Sequence, residues 1–226
     1  MSRSHHGSRG GSRGLFVAIG AVLAVATTVL LVVGLSRQES APPSAAPAAP
    51  PAPPADGGGG QAGGGEAAPG GKAAALEASP PQRISIPSLQ VSSSLVDLGQ
   101  DQRGAMETPT DPDKAGWYTP GPTPGAKGPA VIAGHVTWNG AKAVFFRLGE
   151  LKKGDDIEVT RKDGRTAKFT VDKIAQYPKS KFPTLEVYRN IDHAGLRLIT
   201  CGGDFDKTKH HYSDNVVVYA SMTGNA

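Results

Sequence analysis

Hydrophobic and polar positions divide the chain into an apolar block, a low-complexity stretch and a region of short alternating segments. The apolar block, Leu15–Leu35, contains no charged residue. As a helix rising 1.5 Å per residue it would be about 31 Å long, close to the hydrocarbon thickness of a bilayer. We therefore expect a transmembrane anchor over 15–35. A cleavable signal peptide is the alternative, but its apolar region would be shorter.

Charge around this block predicts its orientation. Arg3, Arg9 and Arg13 precede it, whereas Arg37 alone follows closely, beside Glu39. Basic residues favour the cytoplasmic side of a membrane. Residues 1–14 are accordingly predicted to be a cytoplasmic basic tail, and everything after the anchor is predicted to be extracellular.

Residues 36–82 are rich in Pro, Ala and Gly, with the proline concentrated before residue 56 and the glycine after it. Such a composition cannot form a packed core. Proline-rich sequence is semi-extended and glycine-rich sequence is flexible. We interpret 36–82 as a disordered linker that acts as a plain spacer.

The rest of the chain, 83–226, has the length of one domain, and its pattern predicts mainly strands. A Lys162-Asp163-Gly164 turn between two alternating segments indicates a hairpin. Many short strands with turn residues between them favour a β-barrel or a β-sandwich. The predicted strands are 83–89, 91–98, 129–135, 156–160, 166–171 with 172–176 as its candidate continuation, 196–200 and 215–220, with a turn-rich loop at 115–127 and a short helix or turn at 145–151.

Composition excludes several classes of protein. The formal net charge is only +4, and acidic residues interleave with the basic ones of 152–165, so a nucleic-acid-binding surface is not indicated. A single cysteine excludes an intramolecular disulfide. A fully soluble cytosolic enzyme and a multi-domain assembly are excluded as well.

That cysteine, Cys201, is placed at the end of a predicted strand, before Gly202 and Gly203. It is either a small buried residue or a reactive thiol. A nucleophilic thiol needs a base or an imidazolium near it. His135 ends the predicted strand PAVIAGH and is a candidate for that partner, although a hydrogen-bonded histidine at the rim is an equal alternative.

The strings VIAGHV at 131–136 and LITCGG at 198–203 resemble those of the sortase family, in which an LxTC element carries the cysteine. RISIPSL, AGWYTPGPTPGAKGPAVIAGHV, FFRLGELKKGDDIEV and LRLITCGGDFD follow in the same order as in that family. CGGDFD and NVVVYA are similar to the actinobacterial class F branch, with class E as the nearest alternative. The resemblance covers essentially the whole predicted domain, and the anchor and linker fit it too.

The resemblance implies an eight-stranded barrel with short helices and a cysteine transpeptidase that needs no cofactor. In the family the thiolate cleaves an LPxTG-like sorting signal after Thr, and an amine of a wall precursor or a pilin resolves the thioacyl enzyme. By position, Cys201 is the nucleophile and His135 is the acid and base. Thr200 borders the site and is a candidate for substrate binding. Implied partners are secreted proteins with a C-terminal sorting signal, at the outer face of a Gram-positive membrane.

One departure is serious, because the family uses an Arg at the start of the last strand and HHYSDNVVVYA contains none. Asn215 lies near that position and is predicted to donate to the oxyanion in its place. Ser213, two residues earlier, is expected on the same strand face and is a second candidate for substrate binding. Arg197 is four residues before Cys201, too far along an extended strand to reach the thiol easily. The chain is therefore either an enzyme with a substituted donor or a weakly active or inactive relative.

Other functions stay open at this stage. A non-catalytic wall- or peptide-binding domain would explain the missing Arg. An L,D-transpeptidase is disfavoured, because those enzymes place Cys in a His-Gly-Cys context. A metal site is not predicted, because the spacing of the nearby acidic and imidazole side chains matches no zinc signature; these are Asp204, Asp206, His210 and His211.

Overall fold

The structure is a computed structural model, and it describes residues 42–45 and 73–226. The predicted tail, anchor and most of the linker lie outside the described residues. Within the described ranges, no helix combines the length and apolar character that crossing a bilayer requires. The predicted boundaries between tail, anchor, linker and domain stay predictions.

Eight strands close into a barrel in the order β1-β2-β3-β4-β9-β10-β8-β7, as the resemblance implied. Two further strands, β5 and β6, form a separate hairpin around Asn139 and Gly140, whose φ angles of 49° and 79° suit a type I′ turn. The strands are β1 Pro81–Ile86, β2 Val91–Leu98, β3 Ala115–Tyr118, β4 Gly128–Ala133, β5 Thr137–Trp138, β6 Ala141–Lys142, β7 Asp156–Arg161, β8 Thr166–Pro178, β9 Ala194–Asp206 and β10 His211–Asn225.

Among residues 73–226, helical structure is limited to short pieces. One α-helix, α1, spans Thr184–Tyr188. Single 3-10 turns span Pro87–Leu89, Leu148–Glu150 and Lys179–Lys181. The last of these turns and α1 lie in the connection between β8 and β9, where the sequence pattern predicted neither.

Two pairings are parallel, β2 with β3 and β4 with β9, and the other barrel pairings are antiparallel. The β4–β9 register sets Ala133 opposite Ile199, so both strands run toward the same end of the barrel. On the other side of β9, Cys201 pairs with Asn215 of β10, which in turn pairs with Tyr177 of β8. Three neighbouring strands therefore present residues 177, 215 and 201 at one level.

Side chains along these strands alternate between an apolar cluster inside the barrel and a second apolar cluster on its outer face. Ile132, Leu198 and Val218 belong to the large cluster inside the barrel. Ile199 and Val217 belong to a second cluster on the outside, which α1 and its flanking residues cover. Since directly opposed residues of a ladder share a face, Cys201, Asn215 and Tyr177 continue the outer face.

The chain contacts the barrel before its first strand begins. The Ala73 N–H donates to the Met222 carbonyl over 3.0 Å, and the Leu76 N–H donates to the Gly125 carbonyl over 2.8 Å. Arg161 is fully buried and donates to the carbonyls of Glu77 and Pro124. A charged side chain thus attaches 73–80 to the barrel wall.

Several sequence predictions of strand bounds were wrong, each for a local reason. Residues 115–118 are a strand within the predicted loop, because Ala115–Tyr118 pairs with β2 and β4 despite the prolines that follow. The first strand ends at Ile86, where Pro87 starts a 3-10 turn. Cys201 lies inside β9, not at its end, because β9 and β10 continue together as a long hairpin beyond the barrel.

Candidate active site

Cys201 and His135 come from the parallel pair β4 and β9. The Gly134 N–H donates to the Ile199 carbonyl over 3.1 Å, which extends the β4–β9 register one residue past the end of β4. Two residues beyond the paired Ala133 and Ile199, the same register brings His135 to the level of Cys201. The half-buried thiol packs against Val136 and Phe146, and Phe205 and Tyr212 complete this apolar cluster.

Backbone hydrogen bonds fix the segment that carries His135. Its carbonyl accepts from the Phe145 N–H over 3.0 Å, and the Val136 carbonyl accepts from the Ala143 N–H over 3.1 Å. Gly134 leaves no space for a side chain, since a Cβ there would collide with Val144 and Phe145. The histidine therefore projects from a rigid backbone.

The imidazole ring of His135 is held on two sides. Its Nε2–H donates to the Pro109 carbonyl over 2.7 Å. A carbonyl only accepts, so the proton stays on Nε2 and Nδ1 is the nitrogen that exchanges protons. The ring of Trp138, which is 41% exposed, stands edge-on with a centroid separation of 4.7 Å. Neither Pro109 nor this stacking was predicted from the sequence.

Thr200 is 4% exposed, and its hydroxyl donates to the Gly134 carbonyl over 2.8 Å. This bond joins β9, one residue before the thiol, to the chain one residue before the histidine. In the free protein Thr200 thus links the two functional strands, and its predicted contact with substrate stays a prediction.

Asn215 is half-buried and lies directly across the ladder from Cys201. Ser213 lies in an irregularity of the register between Tyr212 and Asp214, and its hydroxyl accepts from the Asp204 N–H over 3.1 Å. Gly203 opposite it has a φ of 74°, and a Cβ there would collide with the Ser213 hydroxyl. The structure brings Asn215 to the thiol, whereas the hydroxyl of Ser213 is engaged within the hairpin.

Two basic side chains of this region, Arg197 and Lys179, differ in how closely they approach the thiol. Arg197 is 7% exposed and stacks on the Tyr219 ring at 4.6 Å, which agrees with the expectation that it does not reach the thiol. Burial lowers the pKa of Arg197 below its usual value. Instead, the ammonium of Lys179, which no sequence motif indicated, lies 3.5 Å from the Cys201 Sγ.

The end of the β9–β10 hairpin is held by an acidic residue. The Asp206 carboxylate accepts from the backbone N–H groups of Lys209 and Thr208, and these bonds lower the pKa of Asp206. Among residues 42–45 and 73–226, no group of three or more acidic, imidazole or thiol side chains is placed to hold a metal ion.

The sortase domain model matches residues 84–223 of the chain, which is more than half of its length. The chain belongs to the sortase family. Family members are cysteine transpeptidases that sort proteins to the cell wall, and this sortase carries its one cysteine at the site described above.

Several solved structures of sortases have a fold similar to that of this chain. A lid mutant of sortase A from Corynebacterium diphtheriae is similar at 24% identity and a TM-score of 0.50, covering 63% of this chain and 69% of that one. Sortase C1 from Streptococcus agalactiae is similar at 19% identity and a TM-score of 0.50, covering 64% and 68%. These likenesses concern the fold. Among curated proteins, none matches the sequence.

Proposed function

We propose that this sortase is a membrane-anchored transpeptidase that cleaves an LPxTG-like sorting signal and transfers the protein to an amine of the cell wall or of a pilin. The observation that carries the proposal is the placement of Cys201 and His135 at one level of the parallel strands β4 and β9. The strings CGGDFD and NVVVYA favour class F, with class E as the alternative.

In the first half-reaction the Cys201 thiolate attacks the carbonyl carbon of the signal's Thr. The carbonyl oxygen becomes an oxyanion in the tetrahedral intermediate, and a preorganised donor stabilises that charge. Asn215, across the ladder from the thiol, is the proposed neutral donor. When the intermediate collapses, the C–N bond breaks, protonated His135 gives its proton to the departing amine, and a thioacyl enzyme remains.

In the second half-reaction an amine attacks the thioester. Neutral His135 takes the proton from the incoming nitrogen, the C–S bond breaks, and the thiolate is restored. Because Nε2–H is bound to the Pro109 carbonyl, we assign both proton transfers to Nδ1. The hydrogen bond to Pro109 orients the ring throughout, as such bonds fix the tautomer of catalytic histidines.

The proposal includes an anchor at 15–35 with the tail 1–14 in the cytoplasm and the barrel outside the cell. The uncharged run of the anchor and the arginines before it support this orientation. Accessibility of Cys201 to an impermeant thiol reagent on intact cells tests it. Labelling only after lysis would contradict an extracellular barrel.

The activity is tested with the full-length chain in mild detergent and LPxTG-like peptides, with and without a wall-type amine such as oligoglycine. We expect a thioacyl mass adduct on the protein and an amine-dependent ligation product, both abolished in Cys201→Ala. Ligation at full rate by Cys201→Ala would refute the mechanism. Absence of adduct and product across a peptide library, from folded protein, would favour the non-catalytic peptide-binding alternative.

A further inference from the structure

The ammonium of Lys179 lies 3.5 Å from the Cys201 Sγ. Lys179 belongs to the turn that follows β8, and Cys201 lies on β9, two strands away across β10. Two strand spacings are about 10 Å. The lysine side chain therefore extends along the sheet surface, past Asn215, to reach the sulfur.

The backbone sets this direction. Tyr177 of β8 pairs with Asn215, which pairs with Cys201, so all three side chains lie on the outer face. Pro178 keeps an extended backbone, with φ of −54° and ψ of 134°. Lys179, two residues beyond Tyr177, consequently projects to the same face as the thiol.

Lys179 is the basic side chain that the structure places in hydrogen-bond contact with the sulfur. Asn215 is neutral, and His135 must change its protonation state during the reaction. The Asp214 carboxylate is turned to Gln176, which donates to it over 2.7 Å, and Asp206 accepts from the N–H groups of its own turn. No arginine follows Arg197 in the sequence.

We propose that Lys179 is a catalytic residue that supplies, from the β8–β9 connection, the positive charge which the last strand lacks. Its ammonium stabilises the Cys201 thiolate and then the negative charge of the tetrahedral intermediate. A cation beside a cysteine increases the thiolate fraction and so its nucleophilicity. The role in stabilising the intermediate rests on the proposed function. The role in stabilising the thiolate does not, because it concerns the free enzyme.

The first role is tested by alkylation of Cys201 in the full-length chain with iodoacetamide, followed by intact mass from about pH 5 to 9. Lys179→Ala should react about three- to tenfold more slowly at neutral pH, with its rate profile displaced to higher pH. Lys179→Arg should keep most of the wild-type rate. Lys181→Ala, an exposed lysine two residues away, is the matched control and should react like wild type.

Salt provides an independent readout. High ionic strength screens an exposed ion pair, so the difference between wild type and Lys179→Ala should shrink in about 1 M salt. Wild-type rates for folded Lys179→Ala at every pH, or equal losses in Lys181→Ala, would overturn the inference. A salt-independent difference would overturn it too, because that result indicates a structural effect.

Peptide ligation separates this inference from the proposed function. Lys179→Ala should also lower kcat for ligation more than it raises KM, because the charge acts on the reacting atoms. If wild type forms no acyl adduct while alkylation depends on Lys179, the first role stands and the proposed substrate fails. If wild type ligates but Lys179→Ala both alkylates and ligates normally, the proposed function stands and Lys179 has no catalytic role.

Discussion

Replacing Thr200 by Val tests how the site is held together. The two side chains have nearly the same shape, but Val cannot donate to the Gly134 carbonyl, which now accepts from the Thr200 hydroxyl over 2.8 Å. At 4% exposure, Thr200 leaves little room for water to replace the hydroxyl. The substitution therefore leaves an acceptor unpaired at the junction that positions His135 against Cys201.

The expected magnitude follows from that single bond. Leaving a buried acceptor unsatisfied costs about 1–3 kcal/mol. For a domain of this size, each kcal/mol lowers Tm by about 2–4 °C. The ligation rate should fall by more than the loss of folded protein alone would cause, because small displacements of catalytic groups slow the reaction strongly. We expect kcat/KM for ligation to drop about tenfold.

Thr200→Ser is the matched control, since it keeps the hydroxyl and removes only a methyl group. Thermal unfolding and peptide ligation are measured for both variants at a temperature well below the lower Tm. The reasoning is refuted if Thr200→Val ligates at the wild-type rate. It is also refuted if Thr200→Ser loses as much activity as Thr200→Val, because the hydroxyl would then not be the decisive group.

Three further predictions follow from other contacts. Arg161→Met should destabilise the barrel by about 3 kcal/mol in urea unfolding, because two charged hydrogen bonds to carbonyls are lost; an unchanged midpoint would contradict this. Trp138→Ala should slow ligation several-fold but leave alkylation of the thiol unchanged, whereas Trp138→Phe should retain activity, since the ring orients His135; equal losses in both variants would argue against orientation by stacking. Burial, helped by the hydrogen bond between the Tyr219 and Tyr177 hydroxyls, raises the pKa of Tyr219 well above its usual value, so its contribution to stability is complete below about pH 10 and is lost as pH rises further; in Tyr219→Phe, unfolding measured between about pH 9 and 11 should depend less on pH than in wild type.

The strands that carry the site could be predicted because their patterns are local. The apolar run before His135 and the run before Thr200 both read as buried strands, and both are strands. Ala115–Tyr118 was missed because its neighbours are turn residues, and only its pairing partners make it a strand. The local sequence pattern indicates that a strand is present, but pairing with neighbouring strands decides where it begins and ends.

The cation could not be predicted for a related reason. Lys179 is 22 residues before Cys201 and lies in a stretch with no motif. Its proximity depends on the register of three strands, which sets Tyr177, Asn215 and Cys201 at one level. Such a coincidence of registers is a property of the closed sheet and leaves no signal in any single segment.

Strand β10 runs from one end of the barrel to the other. Asn215 lies beside the thiol, whereas Met222, seven residues along the strand, accepts the hydrogen bond from Ala73 where the chain approaches the barrel. Seven residues of strand span about 23 Å. Residues 73–76 therefore meet the barrel at the end opposite to the thiol, and this segment leaves the site unobstructed.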